Sequence, residues 1–242
     1  MPAGFERVPA APESFGTWLR NLPLKAGKPD VLLHDGQKKH RQDTHHAVVD
    51  IDVGGRDLQQ CADAIIRLQA DYLRAVEREN EIAFNFTSGD RARWSQWRQG
   101  YRPTVNGNKV EWKRTEKPSA SYDDFHHYLE VVFMYAGTWS LHKELHKVDS
   151  LSNMRIGDIF IQPGFPGHAC MVADMAVDTS TGQQMFLLLE SFTPAQEMVI
   201  LRNPNDSDLD PWYDLSVRSD IITPDWIFAP SDLYRSGLFT AE

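Results

Sequence analysis

GGRDLQQCADAIIRLQADYLRAVEREN, residues 54–80, carries Leu58, Cys61, Ile65, Leu68 and Tyr72 at the three- and four-residue spacing of one helix face. Asp57 stands where a cap belongs, and Gln60 three residues on is its capping-box partner. The pattern predicts a helix from about Asp57 to Glu79. An apolar stripe of this kind has to bury itself against a flat partner. The last third of the chain supplies one in IGDIFIQPGFPGHACMVADMAVDTSTGQQMFLLLESFTPAQEMVIL, residues 156–201. Between its turn signals lie four predicted strands, Ile156 to Ile161, Gly167 to Val177, Met185 to Phe192 and Glu197 to Leu201. Their short connections make the sheet antiparallel, and the expected fold class is α+β, a central helix packed on an antiparallel sheet.

Working outward, Ser14 is placed to cap a short helix carrying Phe15, Trp18, Leu19 and Leu22, which Pro23 closes. Val31 to His34 and His46 to Val53 are β-rich runs, read as an antiparallel pair joined by a wide polar loop. Ile82, Phe84 and Phe86 alternate as a strand. Tyr122 to Val148 is helical in pattern, with a break near Gly137. No repeat or Gly/Ser linker divides the chain, so one α+β domain is expected over residues 1–242. Its parts are a strand pair and helix region (1–90), an aromatic and helical insertion (91–150), the sheet (151–205) and a C-terminal wrap (206–242).

Composition narrows the function. The 242 residues are 41% hydrophobic, with a net charge of -9 from 34 acidic and 25 basic side chains. This lacks the basic footprint of a nucleic-acid binder. No apolar run approaches the ~20 residues of a membrane span. Two cysteines cannot form a disulfide framework or a Cys-rich zinc site. The opening MPAGFERVPAAPESFG has no basic stretch followed by an apolar one, so the chain as written reads as cytoplasmic, or extracytoplasmic where a leader has been removed. Oligomeric state is not legible.

The chemistry centres on Cys61, near a helix N-terminus, and His168, at the start of a later strand. A helix dipole and a nearby imidazolium both stabilise a thiolate, the reactive form of cysteine. A third polar group on the other ring nitrogen would fix the imidazole. If the hairpin turn centres near Ser180, His168 faces roughly Phe192, and Glu190 lies diagonally on the same face. Ser191 would share that face only after a one-residue register shift. Glu190 is the choice, because a carboxylate inside a leucine run needs a cation. Cys170, mid-strand and without a helix dipole, reads as core. Gln60 and the first helix N–H groups are candidate oxyanion donors.

No cofactor or metal is expected. His142 and His146 have ligand spacing, but HKELH lacks the Glu that follows the first His in zinc proteases. No Gly-rich phosphate loop or GxSxG elbow occurs. Two basic spots, Lys38 to Arg41 and Arg93 to Arg98, can touch an anionic ligand or simply be surface. Trp94, Trp97, Arg98, Tyr101 and Trp112 form an aromatic, basic stretch of neither clean helical nor clean strand period, expected either to line a substrate cleft or to form a satellite hydrophobic cluster under a long loop.

RDLQQCADA, YAGT, GDIFI, PGHACMVADMA and FLLLESFTPAQE with the downstream PWY together resemble a bacterial family, domain of unknown function 4846, over nearly the whole chain. That family carries Gln-Ser-Tyr-Met where this chain has Glu190-Ser191-Phe192-Thr193, which implies that an amide is tolerated at the third position. A weaker likeness is to papain-like amidases of the NlpC and CHAP types, which cut peptide bonds of bacterial cell wall. There a Cys opens the central helix and a Gly-Asp-hydrophobic strand, here Gly157-Asp158-Ile159, precedes the strand carrying His. The likeness implies a papain-like cysteine hydrolase or acyl transferase acting on amide or peptide bonds, with a peptide or peptidoglycan-like ligand. The alternative is a non-catalytic, envelope-associated binding protein that keeps the cleft.

Overall fold

The computed structural model describes residues 1–216 and 219–239. In chain order its first half holds β1 (Phe5–Arg7), α1 (Phe15–Arg20), β2 (His45–Val48), α2 (Cys61–Ala75), β3 (Ala83–Asn85), β4 (Arg91–Arg93), α3 (Trp94–Trp97), β5 (Tyr101–Asn106), β6 (Lys109–Arg114) and α4 (Tyr122–Tyr135). The second half holds α5 (Thr138–Glu144), β7 (Leu145–Lys147), β8 (Ile159–Gln162), β9 (His168–Asp178), β10 (Gln184–Glu190), β11 (Val199–Leu201), β12 (Tyr213–Asp214), β13 (Ile221–Ile222), β14 (Ile227–Phe228) and β15 (Leu233–Ser236). The fold is α+β. Its main sheet runs β2-β11-β10-β9-β8-β15-β7, with β1 also on β9 and β12 also on β10, and all of these pairings are antiparallel.

Alternation along the strands sends side chains to two cores. Ala169, Met171 and Ala173 of β9, with Leu189 of β10, join Ile65, Leu68 and Tyr72 of α2. Cys170, Val172, Phe186 and Leu188 face the opposite way, onto Tyr213 and Phe228. Each large apolar side chain so buried contributes about 1.5–3 kcal/mol. The strands of the last third fall within a few residues of their expected bounds.

Helix α2 begins four residues later than its sequence suggests. The Asp57 carboxylate accepts from the Ala195 N–H at 2.7 Å instead of capping, and Gln60 becomes the N-cap. Asp63 completes the cap by accepting from the Gln60 N–H at 3.2 Å. Cys61 is therefore the first residue of the helix. Ser14 caps α1 as expected, its Oγ accepting from Thr17 N at 3.2 Å. The helical stretch beyond Tyr122 divides at Ala136 and Gly137 into α4 and α5.

The expected pairing of Val31 to His34 with His46 to Val53 does not form. β2 pairs β11, while the earlier segment makes only isolated bridges, Leu32 to Lys38 and Leu33 to Gln196. The loop between them folds back on itself through Gln42, whose amide bonds both backbone groups of Val31, so β2 is left to extend the sheet.

One irregularity in the β9–β10 ladder positions the site. Leu187 lies opposite Asp174, but Leu188 lies opposite Val172. Ala173 is thus an extra residue on β9, a β-bulge. Beyond the bulge, Leu189 faces Met171, and one step further Glu190 falls opposite Cys170, on the face that His168 shares. Without the extra residue the register would put His168 and Glu190 on opposite faces of the sheet, with His168 turned toward α2.

Candidate active site

His168 opens β9, Glu190 closes β10 and Cys61 opens α2, so three elements deliver their termini to one end of the sheet. His168 Nε2 lies 2.7 Å from Glu190 Oε2, and the two side chains are 2% and 0% exposed. Burial by itself lowers the pKa of the imidazole. Hydrogen bonding to Cys61 and to Glu190, and their charges, outweigh burial and raise it to about 9. With Nε2 taken by Glu190, Nδ1 is the ring nitrogen left for the thiol. Cys61 is partly exposed, whereas Cys170 is sealed and burial pushes its thiol pKa up, as expected of a core residue.

Three rings enclose His168, and sequence reading names only the first of them as its neighbour. Phe192, Trp226 and Phe228 lie with centroids 4.9, 5.3 and 5.8 Å from the imidazole. Trp226 is fixed by Nε1–H donation to Gln162 Oε1 at 2.9 Å. Beside it Asp225 takes ion pairs from Lys39 at 2.7 Å and Arg41 at 2.9 Å. The basic Lys38 to Arg41 segment thus holds the tip that carries Trp226. Phe192 was legible as the cross-strand neighbour of His168. Trp226 lies far along the chain in an irregular stretch, and no local pattern announces it.

Gln60 donates its side-chain N–H to Asp57 Oδ1 at 3.0 Å. The Asp57 carboxyl pKa is lowered, chiefly by the Ala195 N–H it accepts. Ser191, one residue past Glu190, does not join His168. Its hydroxyl points to the backbone of Gln59 and Gln196, at 3.1 and 2.8 Å. Asp63 is buried, and desolvation raises its carboxyl pKa to about 8, so it is largely neutral near pH 7.

The aromatic stretch considered for a cleft wall divides between the core and a hairpin. Trp94 and Trp97 are 0% and 1% exposed and pack on Phe125 and Tyr128 of α4. They are core residues, with no face free for a ligand. Tyr101 and Trp112 sit on the β5–β6 hairpin, half-buried, with Trp112 stacked on Phe86 at 6.3 Å. Arg98 binds Glu79 and Asn80. Two short hairpins around α3 made the sequence aperiodic, and α4 supplies the apolar surface that buries its tryptophans. A cavity of about 320 Å³ between Phe15, Ile156, Met175 and Phe239 is lined by neither Cys61 nor His168.

No helix among the described residues is long and apolar enough to cross a membrane. Comparison with curated proteins and with solved structures finds no match. The family model described as Domain of unknown function (4846) matches residues 1–235, the span that holds Cys61, His168 and Glu190 alike, and the chain belongs to that family.

Proposed function

We propose that the protein is a thiol hydrolase or acyl transferase acting on an amide or peptide bond through Cys61, in a papain-like arrangement. The observation that carries this reading is the buried His168, bound to Glu190 at 2.7 Å and raised in pKa by Cys61 and Glu190 together. An imidazolium that keeps its proton well above neutrality, next to a thiol at a helix N-terminus, favours a thiolate–imidazolium pair. In the first step Sγ of the thiolate attacks the carbonyl carbon, and the C–N electron pair departs with the proton that His168 donates. This frees the amine and leaves a thioester on Cys61. Water or an acceptor amine then attacks the thioester while His168 takes its proton, and the thiolate is regenerated. The N–H groups of Cys61 and Ala62 at the start of α2, with the second amide N–H of Gln60, are the candidate oxyanion donors.

Peptides, including cell-wall peptides, are the substrate class to screen first, since the acidic chain repels polyanions. Labelling with a thiol-directed acyl probe tests the reading: native protein should acylate and turn over, and Cys61→Ala should not. Equal labelling of both would end it. A second reading, a non-catalytic binding protein of the cell envelope, draws support from the burial of His168 and Glu190 beneath Phe192, Trp226 and Phe228. Alkylation of Cys61 only after denaturation would favour that alternative.

A further inference from the structure

Glu190 and Ser191 are consecutive, so the pleat sends their side chains to opposite faces of β10. Glu190 reaches His168. Ser191, 0% exposed, turns to the α2 side, where its single hydroxyl proton is shared between Gln59 O at 3.1 Å and Gln196 O at 2.8 Å. Gln59 lies two residues before Cys61 and is gripped again through its side chain, Arg67 Nη1 donating to Oε1 at 2.9 Å. A second brace runs parallel, from Ala195 N–H to Asp57 Oδ1 at 2.7 Å. The end of β10 thus bonds the base with one residue and the segment leading into the thiol with the next.

We infer that Ser191 is a positioning residue: its hydroxyl, by holding the Gln59 carbonyl, sets the approach of Cys61 to His168 and with it the thiol's ionisation. This rests on the catalytic reading above for its purpose. Its measurement does not, because thiol ionisation can be followed without any substrate.

The experiment is the rate of Cys61 alkylation by iodoacetamide from pH 5 to pH 10, in native protein, Ser191→Ala and Ser191→Thr, each also in a His168→Asn background. Native protein should react at pH 6 through its thiolate. Loss of one buried hydrogen bond should slow Ser191→Ala about fivefold at pH 6 while leaving the pH 10 rate unchanged, with Ser191→Thr restoring part of the loss. In the His168→Asn background the serine substitution should change nothing, which a purely structural role would not produce. Should Ser191→Ala fail to fold, Asp57→Ala removes the exposed second brace and is expected to act in the same direction.

Native behaviour of Ser191→Ala or of Asp57→Ala at every pH, or an equal slowing with and without His168, overturns the inference alone. An ordinary thiol profile in native protein overturns both the inference and the catalytic reading. A perturbed native profile lost in Ser191→Ala, without acyl-probe turnover, leaves the inference standing and removes the catalytic reading.

Discussion

Glu190→Gln keeps the shape of the side chain that meets His168 and removes its charge. The folded protein holds the His168 proton up to about pH 9 against an ordinary 6.5, which at about 1.4 kcal/mol per pH unit is worth about 3 kcal/mol. Because the folded value is the raised one, that stability is fully present below pH 6.5 and is lost as pH rises through 9. In the variant, burial of the ring, which lowers its pKa, is opposed by Cys61 and by an uncharged amide oxygen in place of the carboxylate. Glu190→Gln should therefore cost up to about 3 kcal/mol at pH 6. At pH 10 the ring is neutral and its attraction for the charge of Glu190 is gone, although Nε2–H still donates to it, and the variant should come close to the stability of native protein. Urea denaturation at pH 6, 8 and 10 reads the difference, and the His168 ring resonances report its titration directly. A stability gap that stays constant across the three pH values would falsify the charged-pair account.

Asp63→Asn should stabilise the protein by up to about 4 kcal/mol at pH 7. The native carboxyl, raised by burial to about 8, contributes stability below pH 3.8 that is lost as pH climbs, so thermal melts at pH 4 and pH 8 should diverge. Arg235→Gln strips Asp158, 1% exposed, of a two-bond partner at 2.6 and 2.7 Å and should cost about 3–5 kcal/mol in urea unfolding; a loss below 1 kcal/mol contradicts the pairing. Trp94→Ala should cost about 3–5 kcal/mol while Cys61 in the folded protein alkylates at the native rate, and a slowed thiol would return Trp94 to the site.

The antiparallel sheet and its helix were legible because 156–201 and the Leu58 to Tyr72 stripe obey single periods over many residues. Turn position and parity paired His168 with Glu190, but the ladder next to the turn runs one residue out of that register and the bulge at Ala173 restores it; Cys61 came from its place at the start of the helix stripe. The first residue of α2 was not legible, since the Asp57 carboxylate that a local rule assigns to capping is claimed by Ala195, far along the chain. The fate of Val31 to His34 was settled by competition from β11 for β2. Trp94 and Trp97 were misassigned for a related reason: a tryptophan's sequence neighbours say that it is apolar and not which wall it meets. The cover over His168 depends on Asp225 bonding Lys39 and Arg41, a tertiary choice with no local signature.

The extra residue at Ala173 gives the hairpin an arithmetic of its own. A ladder counts residues modulo two, so the tip around Ser180 is free to change length wherever the flanking pairs re-form, whereas a single deletion between the bulge and His168 is an error of parity. It would exchange the two layers of the sheet for every residue upstream, turning His168 toward α2 and Ala169 toward Trp226. Chain length in this hairpin is thus unequally protected: its visible loop is permissive, and the unpaired alanine in the middle of a strand is where one codon's worth of indel decides which side of the protein the imidazole belongs to.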